Sequence, residues 1–214
     1  MPARIIPLVN GQFYHVYNRG VEKRRIFENR GTYARFLQTI NYYRLEGPKP
    51  KFSNFIKYKV FKPNPDKKIV DIICYCLMPN HFHFLIKQLK EGGISEFISK
   101  LTNSYTKFYN TKFNRVGPLL QGQFKAVLIE SDEQLVHVSR YIHLNPVSSF
   151  LAETPEDYEW SSYSEYFKNK GICIKEEILS FFKSAVNYKK FVDDQIGYAQ
   201  ELELIKHQLL DAED

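Results

Sequence analysis

Two apolar runs, residues 69–77 and 81–88, are separated only by Met78-Pro79-Asn80. Each is too short for an ordinary helix, and the second, HFHFLIKQ, alternates in the period of a strand. With a Pro-Asn turn between them, the two runs read as one antiparallel hairpin. The rest of the chain must be arranged around that sheet. QFYHVYNR, residues 12–19, is a further alternating, aromatic-rich strand. Asn29 caps a helix over residues 30–45, with Tyr33, Phe36, Leu37 and Ile40 at helical spacing, stopped by Gly47-Pro48.

Residues 49–66 are rich in lysine and proline and read as an irregular or partly extended insertion. Gly92-Gly93 end the hairpin, and a helix follows over 94–113 with Phe97, Ile98, Leu101, Tyr105 and Phe108 on one face. FKAVLIE, residues 124–130, is a strand. Ser131 or Asp132 caps a last helix that Pro146 ends near Leu144. The order β-α-β-β-α-β-α predicts an α+β fold: a ferredoxin-like, split βαβ antiparallel sheet with helices on one face. Residues 150–170 form an aromatic segment with a short helix, and 175–210 one or two helices, a C-terminal helical extension. The expected division is a first unit over 1–150 and an extension over 151–214 that packs on it.

Charge narrows the partner. The formal net charge is +6 over 214 residues. Residues 1–70 hold 15 Lys/Arg against 4 Asp/Glu, residues 71–150 hold 8 against 6, and residues 151–214 hold 7 against 14. A basic first third suits a polyanion, because phosphate contacts release condensed counterions; an acidic end does not. No apolar run approaches the roughly 20 residues of a membrane span. The first 15 residues lack the apolar core of a secretory signal. Three cysteines make no disulfide framework, so a reducing, cytoplasmic setting is expected.

His81 and His83 stand at i and i+2 of a strand and therefore share one face, a candidate pair of ligands for a divalent metal. Taken alone, H-x-H arises by chance, and one histidine of such a pair is often a satisfied core residue. Tyr141 and Asn145 are one helical turn apart in SRYIHLNPV. The first is a possible nucleophile and the second a neutral oxygen ligand, although in isolation core packing of Tyr141 and a helix C-cap at Asn145 explain them better. Nothing in the spacing of His137 or His143 selects them.

CLMPNHFHFLIK (76–87), GPLLQGQFKAVLIESDEQLVHVSRYIHLNPV (117–147), DYEWSSYSEY (157–166) and YHVYNRGVEKRRIFEN (14–29) together resemble the single-tyrosine HUH transposases. The similarity is to the REP-associated tyrosine transposases, relatives of the IS200/IS605 type. It implies the same ferredoxin-like sheet. It implies metal-dependent cleavage and rejoining of single-stranded DNA through a 5′-phosphotyrosine, on REP-like hairpins. It matches the HUH histidines to His81 and His83, the nucleophile to Tyr141, and the polar residue completing a Mg²⁺ or Mn²⁺ site to Asn145. Such proteins commonly read GRFK where this chain has Gly122-Gln123-Phe124-Lys125, so one phosphate contact is lost.

DNA contacts are then expected from Arg19, Lys23, Arg24 and Arg25 in the loop after the first strand, and from Lys125 and Arg140 near the active face. Phe13, Tyr14 and Tyr17 could stack on unpaired bases, although alternate ones must face the core. Tyr105 and Tyr109 repeat the i, i+4 spacing; Tyr105 belongs to an apolar face, and Tyr109 stays as a second candidate nucleophile. The protein is expected as a monomer or a homodimer, with the tyrosine acting in cis or in trans. A non-catalytic nucleic-acid-binding module of RNA-recognition type shares the topology, but no RNP1 run is present. An unrelated H-x-H hydrolase would need a third strong ligand that the motifs do not offer.

Overall fold

The computed structural model describes residues 7–47, 50–58, 64–168 and 170–201. Its strands are β1 (Phe13–Arg19), β2 (Val70–Met78), β3 (His81–Gln88) and β4 (Lys125–Leu128). They form one sheet in the order β2-β3-β1-β4, with every neighbouring pair antiparallel. Helix α1 (Arg30–Tyr43) connects β1 to the hairpin and α3 (Gly93–Lys112) connects the hairpin to β4. This is the split βαβ arrangement expected from the alternation.

The hairpin pairs Met78 with His81 and Cys76 with His83, and the register slips between Ile72 and Cys74. Alternation in β3 sends Phe82, Phe84 and Ile86 to one side and His81, His83 and Leu85 to the other. The first set joins Tyr14, Val16, Tyr75 and Leu77 of the sheet in a core with Phe36, Ile40, Phe97, Ile98, Leu101 and Tyr105. Helix α1 starts where Asn29 predicts. The Asn29 side chain accepts from Thr32 N–H while the Thr32 hydroxyl accepts from Asn29 N–H, a reciprocal cap. At the start of α3, a Cβ on Gly93 would collide with the Ile69 carbonyl oxygen, so glycine is needed for the helix to approach the sheet.

Within the insertion, residues 52–58 depart from expectation. They form a helix, α2 (Phe52–Tyr58), rather than irregular chain. The cause is tertiary: Phe52 and Phe55 lie 5.2 and 4.7 Å from Tyr42, centroid to centroid, on the end of α1. Residues 48–49 and 59–63 of the insertion lie outside the described residues, as do 1–6 and 202–214, which hold the end of the acidic extension.

The second face of the sheet carries α4 (Asp132–Ser148) and the C-terminal segment, which includes α5 (Glu176–Leu179) and α6 (Ala185–Asp193). Ile73, Cys74, Cys76, Met78 and Leu85 of the sheet pack there with Leu135, Ile142 and Leu144 of α4 and with Tyr163, Tyr166, Ile178, Tyr188 and Val192. The expected end of α4 is corrected: the helix runs through Pro146 to Ser148. A proline inside a helix costs about 3 kcal/mol. Burying Ile142, Leu144 and Val147, each worth roughly 1.5–3 kcal/mol, outweighs it. All three cysteines are free.

A polar network fixes how α4 sits. His143 is fully buried, with Nδ1 2.7 Å from the Tyr188 hydroxyl and Nε2 2.9 Å from Ser162 Oγ. Tyr188 also meets Ser139 Oγ at 3.1 Å, and Ser162 Oγ accepts from Tyr75 N–H at 2.8 Å. The imidazole thus ties α4 to α6 and to β2. Burial lowers its pKa to about 3, so it is neutral.

Candidate active site

The β1–β3 register sets Tyr17 opposite His83 and Arg19 opposite His81. Alternation then places His15, Tyr17 and Arg19 on the same face as the two histidines, and Lys125 follows from its pairing with Tyr17 in β4. Helix α4 crosses this face and brings Tyr141 over it. The Tyr141 ring lies edge-on to His83 at 5.6 Å and to His15 at 5.9 Å, centroid to centroid, and the residue is 51% exposed. His81 and His83 are 4.9 Å apart on the same measure. Of the residues matched to the chemistry, His81, His83 and Tyr141 converge, and Asn145 stands one turn along α4 with its side-chain Nδ2 donating to Tyr141 O at 2.9 Å.

Two grooves meet at His81. One, of about 490 Å³, runs along the sheet between Tyr17, Arg19, Lys23, His83, Gln123 and Lys125. The other, of about 370 Å³, follows α4 past Tyr141 and Asn145 and is walled by Gln195 and Tyr198 of the C-terminal segment. An extended polyanion laid through both would pass over the histidines and beside the tyrosine.

The imidazoles are held at Nδ1. Asn80 Nδ2 donates to Lys23 O at 3.1 Å, which turns Asn80 Oδ1 toward His81 Nδ1 at 2.6 Å. His81 therefore carries its proton on Nδ1, and its lone pair is on Nε2. His83 Nδ1 lies 2.9 Å from His15 Nε2. Burial lowers the His15 pKa to about 4, and burial together with His81 and His15 lowers that of His83 well below its usual value. Both rings are neutral at pH 7, so a single proton lies between them. His15 escaped the sequence reading. Its only signal there is that it alternates with Tyr14 and Val16, which face the core.

The donor chemistry fits a divalent cation in part. Two imidazoles with Nδ1 already engaged, and an amide whose nitrogen is engaged, are ligand types such ions accept. Among the described residues no group of three or more His, Cys, Asp or Glu could hold a metal ion. His81, His83 and Asn145 would therefore need oxygens from substrate and water.

The six cations expected at DNA divide. Arg19, Lys23 and Lys125 line the sheet groove and Arg140 lines the α4 groove. Arg24 and Arg25 line neither and sit beside Glu22 (2.8 Å) and Glu28 (3.9 Å). Arg140 is also occupied structurally, stacked 4.1 Å over Phe191 and bonded to His137 Nδ1 at 2.7 Å. Tyr17 reaches the groove and Tyr14 is buried. Tyr105 and Tyr109 lie in the core on the opposite face, with hydroxyls donating to Ile26 O and Glu28 Oε1. Tyr109 is 4% exposed, and burial raises its pKa to about 12, which disfavours it as a nucleophile.

Comparison with known proteins gives the same direction. Residues 49–145 match the family model of IS200-like transposases. A REP-associated tyrosine transposase solved with a REP hairpin shares the fold, with a TM-score of 0.56 and 13% identity over 78% of this chain and 86% of that one. A candidate transposase from Deinococcus radiodurans R1 overlaps less closely, with a TM-score of 0.36 and 14% identity over 66% of this chain and 95% of that one. No curated protein matches by sequence. The matched stretch contains β2, β3, α3, β4 and the positions of His81, His83, Tyr141 and Asn145, and over it the chain is similar to the IS200-like transposases.

Proposed function

We propose that the protein cleaves and rejoins single-stranded DNA with Tyr141 as nucleophile, on substrates that carry a hairpin. The observation that carries this reading is the exposed Tyr141 ring 5.6 Å from that of His83, on the face that also bears His81. The Tyr141 oxygen attacks the scissile phosphorus and its proton leaves to solvent. The P–O3′ bond breaks, the departing 3′ oxygen is protonated, and a 5′-phosphotyrosine remains. That link conserves the phosphodiester's energy, so attack by a 3′-OH rejoins DNA without ATP.

A Mg²⁺ or Mn²⁺ ion bound at His81, His83 and Asn145 would offset charge on the phosphate oxygens. His15 holds His83 in the tautomer and orientation that keep its Nε2 free. Arg19, Lys23 and Lys125 contact phosphates along the sheet groove, and Arg140 borders the exit along α4. Arg24 and Arg25 act at the rim of that loop. The hairpin substrate is taken from the relative solved with a REP hairpin.

Residues 1–150 supply the chemistry, and the described part of the extension over 151–214 packs on them to hold α4. No described helix is long and apolar enough to cross a membrane. The free thiols suit action on DNA in the cytoplasm.

Incubation with a hairpin oligonucleotide bearing a single-stranded extension, in Mn²⁺, followed by a denaturing gel, tests the reading. A protein–DNA band that is absent in EDTA and absent in Tyr141→Phe is expected. An adduct that persists in Tyr141→Phe would reject the nucleophile.

A further inference from the structure

The two grooves that meet at His81 differ in what they offer a strand. Arg19, Lys23 and Lys125 line the one along the sheet. The one along α4 has a single permanent cation, Arg140. Its guanidinium is already stacked over Phe191 and bonded to His137 Nδ1 and to Phe191 O. Phosphates therefore find partners in the first groove and little to hold them in the second. Among the described residues no carboxylate borders the α4 groove either. Leu144 and Ala199 give it apolar surface, Tyr198 an aromatic ring, and Gln195 an amide. Apolar surface with a few polar groups is the composition of a pocket for a flat organic ring, not of a phosphate track.

Tyr198 is the second observation. Residues 196–201 form a helical segment after α6, and Gln195, Tyr198 and Ala199 stand at i, i+3 and i+4 on the face toward the groove. Ile196 and Ala199 pack against the core beneath α4, which anchors the segment. The Tyr198 side chain is nonetheless 59% exposed. Among the described residues its ring meets no other ring and its hydroxyl bonds nothing, and the Gln195 side-chain amide has neither its oxygen nor its nitrogen engaged. An open aromatic face and a free amide thus line the same groove as Tyr141. Every base has a π-face that can stack on such a ring.

We infer that the α4 groove is a base pocket, in which an unpaired base flanking the scissile phosphate stacks on Tyr198 and is read by Gln195. The inference rests on the DNA cleavage proposed above and names the residues that choose the base at the break. An amide presents one acceptor beside one donor. Adenine, with its N6 amine beside a ring nitrogen, is the complement that glutamine pairs with through two bonds, so adenine is the base expected.

The test uses the full chain and equilibrium binding in EDTA, read by fluorescence anisotropy, so that no cleavage is needed. The probes are short single strands of oligo(dA), oligo(dC) and oligo(dT), and an abasic strand of the same length. Wild type should bind oligo(dA) most tightly. Tyr198→Ala should weaken that binding roughly 5- to 150-fold, the range of one lost base–aromatic stack, and leave the abasic strand unchanged, while Tyr198→Phe binds as wild type. Gln195→Ala should level the three bases. In Mn²⁺, DNA captured covalently from a hairpin with a randomised extension should carry adenine beside the break in wild type and any base there in Gln195→Ala. No preference for oligo(dA) in wild type, an equal loss on the abasic strand in Tyr198→Ala, or a preference that survives Gln195→Ala overturns the inference. Wild-type adduct formation then leaves the catalytic reading standing. Binding that follows the expected pattern with no wild-type adduct supports the pocket and overturns the cleavage reading instead.

Discussion

The group that engages His83 Nδ1 and fixes the orientation of its ring is His15 Nε2 at 2.9 Å. Replacing His15 by Phe keeps a planar ring and removes that partner. The His83 nitrogen is then buried and unpaired, at a cost of about 1–3 kcal/mol, and the ring is free to turn. We expect Mn²⁺ affinity by isothermal titration to fall roughly 10- to 100-fold in His15→Phe, and His15→Gln, which can still bond Nδ1, to recover part of it. Wild-type affinity in His15→Phe would remove His15 from the site. The contrast with His81 and His83 explains what a sequence can reveal at this scale. Two histidines at i and i+2 share a face by the geometry of one strand alone. His15 meets His83 only because β1 lies beside β3 in one particular register, and that register is a long-range fact. Tyr141 could be singled out against Tyr109 only through its motif, since both stand in the same i, i+4 pattern; burial in the folded core is what separates them.

Helix α4 carries Tyr141 outward and His143 inward, so the network around His143 sets the rotation that presents Tyr141. Its pKa of about 3 in the folded chain lies below the ordinary 6.5. Below pH 6.5 the unfolded chain therefore takes up a proton that the folded chain refuses. Stability is lost as pH falls from 6.5 toward 3, at up to about 1.4 kcal/mol per pH unit. His15 and His83 slope the same way, so the informative quantity is a difference. In urea melts with EDTA between pH 7 and 5, the loss for His143→Gln should be shallower than for wild type. Parallel losses would mean that His143 is not held neutral. The element order, the strands of the hairpin and the cap at Asn29 were legible because they depend on neighbours in sequence. Helix α2 was not, since its stability comes from Tyr42. The continuation of α4 past Pro146 was not either, because the proline's local cost is outweighed by burial against a sheet that sequence does not position.

The sequence concentrates basic residues in its first third, and the fold redistributes them. Arg19 and Lys23 go to the sheet groove, Arg35 and Lys51 to a cleft on the opposite face, and Arg24, Arg25 and Arg30 to carboxylates at Glu22, Glu28 and Glu159. A single copy thus carries basic clefts on both faces of one sheet. It also offers Tyr141 and both histidines from one chain, through β3 and an α4 that the C-terminal segment clamps against it. If the tyrosine acts in cis, two defective proteins cannot repair each other. Mixing Tyr141→Phe with His83→Ala, or with His81→Ala should the first variant fold poorly, should give no more covalent adduct than either protein alone. If α4 were exchanged between copies, some mixed dimers would pair an intact tyrosine with intact histidines, and adduct would reappear on mixing. The cis outcome follows from how α4 is held. Exchanging it would require breaking the His143–Tyr188–Ser162 bonds and opening the core formed by Ile142, Leu144, Tyr163, Tyr166 and Tyr188, all buried against the same chain's β2 and β3.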